Sequence, residues 1–292
     1  MRTRGLGPSA PQVGVVGYGA WPLSDSDRRP DEATAVRVIH AALDGGATLI
    51  DSADAYCREQ SEAGHNERLI ATALASWSGP RDELVLATKG GFARPDGEWR
   101  SAGRPEQLRQ ACDRSLQALG VEQIDLYQLH APDPEVPFAE SIGALAELQR
   151  EGKIRWLGIS NVSVEQIRQA SEQITVVSVQ NRLNPFFREA VSDGVVDYCD
   201  RHGLGFLAYS PVGGGRLNKK LPEIAALEPI VRRHRVSHHA VVLAWVLAQG
   251  SSVIVIPAGR RLEHVADSQL AAEIELSSDE LAVIDESEFS TT

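Results

Sequence analysis

Cations are in short supply in this chain of 292 residues: 29 Lys and Arg stand against 40 Asp and Glu, a formal net charge of −11. A surface of that sign repels phosphate backbones and anionic lipid alike, so neither nucleic acid nor a membrane is an expected partner. Long apolar runs are missing too. The longest, Ala240–Ala248, covers about half of the ~20 residues that a membrane-spanning helix needs. The opening MRTRGLGPSAPQ has arginines with no apolar stretch behind them, so a secretory signal is not expected. Cysteine is scarce: Cys57, Cys112 and Cys199 lie far apart and in no CxxC pair. That argues against a disulfide framework and a zinc knuckle and fits a reducing, cytoplasmic setting. No linker or compositional shift divides the chain, and residues 1–292 read as one domain.

What is present is an alternation. Short β-rich apolar runs occur at Val13–Gly17, Thr48–Asp51, Leu84–Thr88, Ile124–Leu129, Ile154–Ser160, Val176–Gln180, Gly205–Tyr209 and Val253–Pro257. Between them, stretches such as Ala33–Leu43, Pro105–Leu119, Val191–His202 and His239–Gln249 space their apolar residues as a helix does. Alternation of this kind builds parallel sheets through right-handed crossovers, and eight units is the number at which such a sheet closes into an α/β barrel. On the pattern alone, an open sheet of about seven strands remains a rival. Glycines near Gly45-Gly46, Gly120, Gly152 and Gly203 mark helix ends where left-handed caps are expected.

Polar residues stand at or just beyond the ends of these strands: Asp51 with Tyr56, Lys89, His130, Ser160 with Asn161, Gln180, and Tyr209. Singly each has a dull explanation, Asp51 as a turn cap, Lys89 as a solvated surface lysine, His130 as a core histidine. Jointly they do not, because barrel enzymes assemble a site from the C-terminal ends of several strands.

These segments, LIDSADAY (49–56), LATKGG (86–91), DLYQLH (125–130), GISN (158–161), VQN (179–181) and AYSP (208–211), resemble the signatures of the aldo-keto reductases, in order from about Val13 to Asp285. The resemblance implies a single-domain (β/α)8 barrel with its active-site loops at the C-terminal face. It also implies a catalytic tetrad at Asp51, Tyr56, Lys89 and His130, and a nicotinamide site formed by Ser160, Asn161, Gln180 and Tyr209 with Ser210, Pro211 and Val212. The chemistry asks for such a set. Hydride addition to a carbonyl leaves negative charge on oxygen, so a proton donor is needed there, and Tyr56 is that donor. A phenol titrates near pH ~10, and an adjacent Lys89 ammonium, held charged by Asp51, is expected to draw it toward neutrality. His130, as a neutral imidazole, is expected to orient and polarise the carbonyl.

Two residues after the first and second strands bear on the substrate. Trp21 stands where family members line the substrate pocket, and reads equally well as a core tryptophan. Cys57 follows Tyr56 where many relatives have glycine, and is read either as a thiol at the pocket rim or as a structural residue. Departures from the family gather in IPAGRRLEHVADS (256–268). Ala258, Gly259, His264 and Ser268 replace the more usual Lys, Ser, Arg and Asn, while Arg260 and Arg261 offer a substitute fork. With Asp267 these positions complete the implied cofactor site. The expectation is NADP(H) in preference to NAD(H), a small carbonyl substrate, and a monomer or weak homo-oligomer. A Schiff-base aldolase acting through Lys89, a metal-dependent hydrolase and a cofactor-binding regulatory subunit are the rivals; no His-x-His pair follows the first strand, and no metal site is expected.

Overall fold

The computed structural model describes residues 2–24 and 28–292. Its centre is a sheet of eight strands: β1 (Tyr18–Gly19), β2 (Leu49–Asp51), β3 (Val85–Gly90), β4 (Ile124–Leu129), β5 (Ile154–Ser160), β6 (Val176–Arg182), β7 (Gly205–Tyr209) and β8 (Val253–Val255). Each strand pairs in parallel with the next in sequence order. The open edges meet: Val16 forms a parallel bridge to Val255, and the Gly17 and Gly19 amides donate to Val255 O and Pro257 O, each at 2.9 Å. A parallel sheet closed on itself has no free edge, and its strands are apolar on both faces because side chains fill the inside and helices cover the outside. Two clusters divide accordingly. Leu49, Val85, Leu126, Val177, Leu207 and Ile254 group together, as does a far larger set that includes Ile50, Leu86, Tyr127, Val179 and Phe206. Residues adjacent along one strand fall in different clusters, as alternating strand faces require. The fold is a single-domain (β/α)8 barrel.

The helices begin and end where local chemistry permits. Asp31 caps Glu32–Asp44 through Thr34 N at 2.7 Å, and capping boxes open Val164–Ser171 and Ser278–Glu286. Gly120 and Gly203 close Pro105–Leu119 and Val195–His202 in the left-handed region.

Two expected elements are corrected. The run 13–17 is not the first barrel strand. Gln12–Gly14 pairs antiparallel with Thr3–Gly5, an unforeseen hairpin, and the pairing with β2 falls to Tyr18 and Gly19. The hairpin puts fully buried Leu6 among Leu49, Val85 and Leu207, with the Gly205 amide on Leu6 O at 3.0 Å. The apolar run therefore serves a plug first and the barrel second. The expected helix Val191–His202 is likewise two helices, Glu189–Ser192 and Val195–His202, separated at Gly194 with φ of 76°.

Candidate active site

The strands deliver their terminal side chains to one place. Lys89, on β3, is wholly buried, and its ammonium donates to Asp51 Oδ2 at 2.5 Å, Ser52 O at 2.8 Å and Tyr56 Oη at 3.0 Å. An ammonium has three donors, and all three of these are engaged. Asp51, at the end of β2, is 2% exposed; its other oxygen accepts from Gln180 Nε2 at 2.8 Å and Gln128 Nε2 at 3.1 Å. Gln128 was not singled out in the sequence. It pairs in register with Lys89 and with Gly158. A Cβ at Gly158 would stand 3.0 Å from Gln128 Cγ and 2.6 Å from Ser178 Oγ, so glycine there leaves room for the amide inside the barrel.

Burial works against the Lys89 ammonium, but the attraction of Asp51 and Tyr56 overcomes it and holds the lysine above its ordinary pKa. For Tyr56 the balance differs from the sequence expectation. Burial is the largest influence and raises the phenol above its usual value; Lys89 pulls down, as expected, and Asp51 pushes back up. His130, just past β4, is held well below the usual imidazole pKa, by burial first and by Lys89 second, so it is neutral. Its Nδ1 is buried without a hydrogen-bond partner.

Tyr56 and His130 face each other edge-on at 5.8 Å. Around them stand Phe92 and Trp99, 4.9 and 5.9 Å from the His130 ring. These two sit on a small hairpin, Phe92–Ala93 with Arg100–Ser101, inside a stretch that reads only as irregular in the sequence. Arg94 lies over the Trp99 ring at 4.4 Å and donates to Gly97 O.

Tyr56, His130, Phe92 and Trp99 line one end of a cavity of about 1080 Å³. Ser160, Asn161, Gln180, Tyr209, Ser210, Pro211 and Val212 form its middle, and Gly259, Arg260, Arg261, His264, Asp267 and Ser268 its far end, together with Arg28, Lys219 and His239. Trp21 lines it as expected. Cys57 does not. Its amide turns back onto Ala55 O at 2.9 Å, its thiol donates to the same oxygen at 3.5 Å, and the side chain is fully buried. Of the two readings of Cys57, the structural one holds and its place in the substrate pocket does not.

The middle residues are linked to one another. Ser160 Oγ donates to Gln180 O at 2.7 Å, Asn161 Nδ2 to His130 O at 2.9 Å, and Tyr209 Oη to Asn161 Oδ1 at 2.8 Å. Asn161 and Ser210 hold φ of 59° and 48°, left-handed conformations that non-glycine residues adopt at a cost. At the far end, Tyr18 Oη donates to Gly259 O at 2.7 Å and Asp267 accepts from Ser237 at 2.6 Å. Arg260 donates to Arg28 O at 2.9 Å, while Arg261, at the N-cap of Leu262–Gln269, lies 3.8 Å from Glu263. Among the described residues no His, Cys, Asp and Glu cluster fits a metal ion, and no helix is long and apolar enough to cross a membrane.

A barrel with this constellation at its C-terminal face matches known proteins over nearly its whole length. The aldo/keto reductase family model matches residues 15–288. A 6-dehydroglucose reductase of Novosphingobium aromaticivorans is 32% identical over 281 residues, covering 93% of this chain and 90% of that one. Among solved structures, a glycerol dehydrogenase from Gluconobacter oxydans superposes with a TM-score of 0.84 at 28% identity, over 97% of this chain and 93% of that one. An aldo-keto reductase from Klebsiella pneumoniae, solved in complex with NADPH, gives 0.82 at 26%, over 98% and 95%. The chain belongs to the aldo/keto reductase family and is an oxidoreductase.

Proposed function

We propose that this enzyme reduces an aldehyde or ketone to an alcohol with NADPH, with Tyr56 as the proton donor. The observation that carries the proposal is the saturated Lys89 ammonium, bonded at once to Asp51, Ser52 O and Tyr56. A lysine in that state is a poor amine nucleophile, which disfavours the Schiff-base reading, and a well-placed cation for a phenol about to lose its proton. The residues present fit a dinucleotide. The cavity exceeds the usual range for a small-molecule site, it is continuous from Tyr56 to Arg261, and its far end carries Arg28, Arg260 and Arg261. The Klebsiella relative was solved with NADPH.

When bound, the nicotinamide supplies the hydride. Ser160, Asn161 and Gln180 would hold its carboxamide, Tyr209 would pack on its ring, and Arg260 and Arg261 would meet a 2′-phosphate at a helix N-terminus, where the dipole favours anions. Neutral His130 orients the carbonyl oxygen beside the Tyr56 hydroxyl and donates to the charge that develops there. Tyr56 gives up its proton to that oxygen, and the phenolate that remains is stabilised by Lys89, whose own charge is kept by Asp51. Trp21, Phe92 and Trp99 offer apolar faces to the rest of the substrate. The test is NADPH oxidation over a panel of aldehydes and ketones. Tyr56→Phe is expected to lower kcat by about two orders of magnitude or more, the scale of a general acid, with little change in NADPH affinity. Near-normal turnover in that variant would remove Tyr56 from the role.

A further inference from the structure

Behind the tetrad, on the helix-facing side of β3, lies a second buried polar cluster that the reaction does not consume. Successive side chains on a strand point to opposite faces. Lys89 therefore points into the barrel and Thr88 out of it, where its hydroxyl donates to Glu67 Oε1 at 2.6 Å. Glu67 comes from helix His65–Ser76 and is fully buried. Asp54, 1% exposed, comes from the loop between Asp51 and Tyr56, and its Oδ2 accepts from Arg114 at 2.9 Å. The same residue fixes that loop, its amide donating to Lys89 O at 3.3 Å and its carbonyl accepting from Gly64 at 2.8 Å. Arg114, Ser115 and Cys112 face the cluster from helix Pro105–Leu119 and Tyr127 from β4, and Arg68 lies at its outer edge by Gly64.

Each carboxyl has one oxygen in a well-formed side-chain bond; the other meets no donor in good geometry, although the Ser115 hydroxyl and the Ala55 amide stand near enough to pull on Glu67 and Asp54. Asp54 Oδ1 and Glu67 Oε2 are buried without partners, as are Ser115 Oγ and Tyr127 Oη. With both carboxyls ionised, the cluster would hold two negative charges against the one guanidinium bonded to it, Arg114, with Arg68 at the outer edge beside Glu67 Oε2. One added proton brings the balance to neutral and turns an orphan acceptor into a donor.

We propose that Asp54 and Glu67 share one bound proton, carried on Glu67, and that in this state they are positioning residues which hold Tyr56 and Lys89 from behind. Glu67 fixes Lys89 through Thr88, its neighbour on β3, and Asp54 fixes both Lys89 and the Tyr56 loop through its backbone. Burial pushes the Glu67 carboxyl up to about 7, with Asp54 adding to the effect and Thr88, Ser115 and Arg114 opposing it, and pushes Asp54 up to about 6 against the pull of Arg114 and the Ala55 amide. Cys112 is pushed up to about 12 and the Tyr127 phenol well above its usual value, both chiefly by burial, so neither competes for the proton. The sign for stability follows. This pair binds more protons in the folded chain than in the unfolded one from the ordinary carboxylate range up to about 7, so its contribution to stability is greatest at the acid side of that window and falls as pH rises through it.

The experiment compares full-length wild type with Glu67→Gln, which keeps the acceptor for Thr88 and supplies a donor where the proton sat, and with Glu67→Ala, which keeps neither. The infrared spectrum of the wild type should show a protonated carboxyl band that titrates away near neutral pH and is absent from Glu67→Gln. The Tm advantage of Glu67→Gln over wild type should grow from about pH 5 to about pH 8. The kinetic arm rests on the reductase reading. Wild-type kcat should lose about threefold or more on a limb near pH ~7 that Glu67→Gln lacks, and Glu67→Ala should lower kcat at every pH. A titrating band that persists in Glu67→Gln overturns the shared proton, and superimposable kcat–pH profiles overturn the positioning role. Should Glu67→Gln not fold, selective carbon-13 labelling of Glu carboxyls assigns the band in the wild type; a band that does not shift with that label also overturns the proposal. Failure of the reductase reading is distinct: it appears as a wild type inert at every pH, while the infrared and melting measurements still decide on the proton.

Discussion

The two ends of the cavity are built to different rules. At the Tyr56 end, the tetrad members Asp51 and Lys89 are 2% and 0% exposed and are fixed by short bonds to each other and to Gln128 and Gln180. At the Arg261 end the guanidinium is exposed, its nearest carboxylate 3.8 Å away, with both side chains more than two-thirds accessible. Charges in the first setting act in a medium where a lost partner is expensive; charges in the second are screened by water and salt. The inner end is therefore fixed before anything binds, while at the outer end the Arg261 side chain has room to adjust. Chemistry that depends on placement to a fraction of an ångström belongs at the first, and recognition of a charged ligand group, which tolerates movement, belongs at the second.

That contrast is broken most severely by Lys89→Met, which leaves Asp51 buried without its cation. A loss of about 3–5 kcal/mol in unfolding free energy is expected, together with a collapse of kcat on the scale of Tyr56→Phe. Urea unfolding beside steady-state kinetics checks both, and a stable, active Lys89→Met would mean the inner end is less dependent on its ion pair than its geometry implies. At the outer end, Arg260→Ala/Arg261→Ala should leave stability unaltered and cost at least about tenfold in kcat/KM for NADPH, with little change for NADH, since each charge-assisted bond is worth roughly 1.5–3 kcal/mol. Equal losses for both cofactors, or a wild type that prefers NADH, would count against the phosphate fork. The smallest effect is expected between the two ends. Tyr209→Ala should weaken NADPH binding by roughly two- to tenfold through lost ring packing, measurable by calorimetric titration, and an unchanged Kd would show that its bond to Asn161 matters more than its face.

The inner end was legible in the sequence because its residues sit at strand ends, and strand ends are marked by periodicity: Asp51, Lys89, His130, Ser160, Gln180 and Tyr209 all line or underlie one cavity. Two kinds of residue escaped. Gln128 lies inside an apolar strand, where its role depends on the register that sets it beside Lys89 and opposite Gly158, and register is a tertiary property. Phe92 and Trp99 lie on a hairpin whose short strands have no periodicity to read, although two aromatics in an otherwise polar loop were a usable signal. Asn66 is a third case. It is buried and ties Ser52 to Ala20 and Ser24, joining the loops after β1 and β2, and its place at the start of a helix gives no hint of this. For Cys57 the sequence left the pocket rim and the interior both open, because a turn of the chain, rather than its neighbour in sequence, decides which way a side chain points. The first strand failed for a related reason: an apolar run of five residues serves a hairpin as well as a barrel, and only the partner strand, Thr3–Gly5, decides.

The seam that closes the barrel joins residues 15–19 to residues 253–257. Contacts so remote in sequence cost the most chain entropy to form and come late in folding. While the chain is being synthesised, β1 therefore has one side unpaired until Val255 and Pro257 have been made, and the Leu6 plug lacks its partner until Gly205 has been made. Closure of the barrel is then the meeting of β1 with the segment around Val255, and an edge strand left open until that meeting is a point at which two copies of the chain can pair with each other instead.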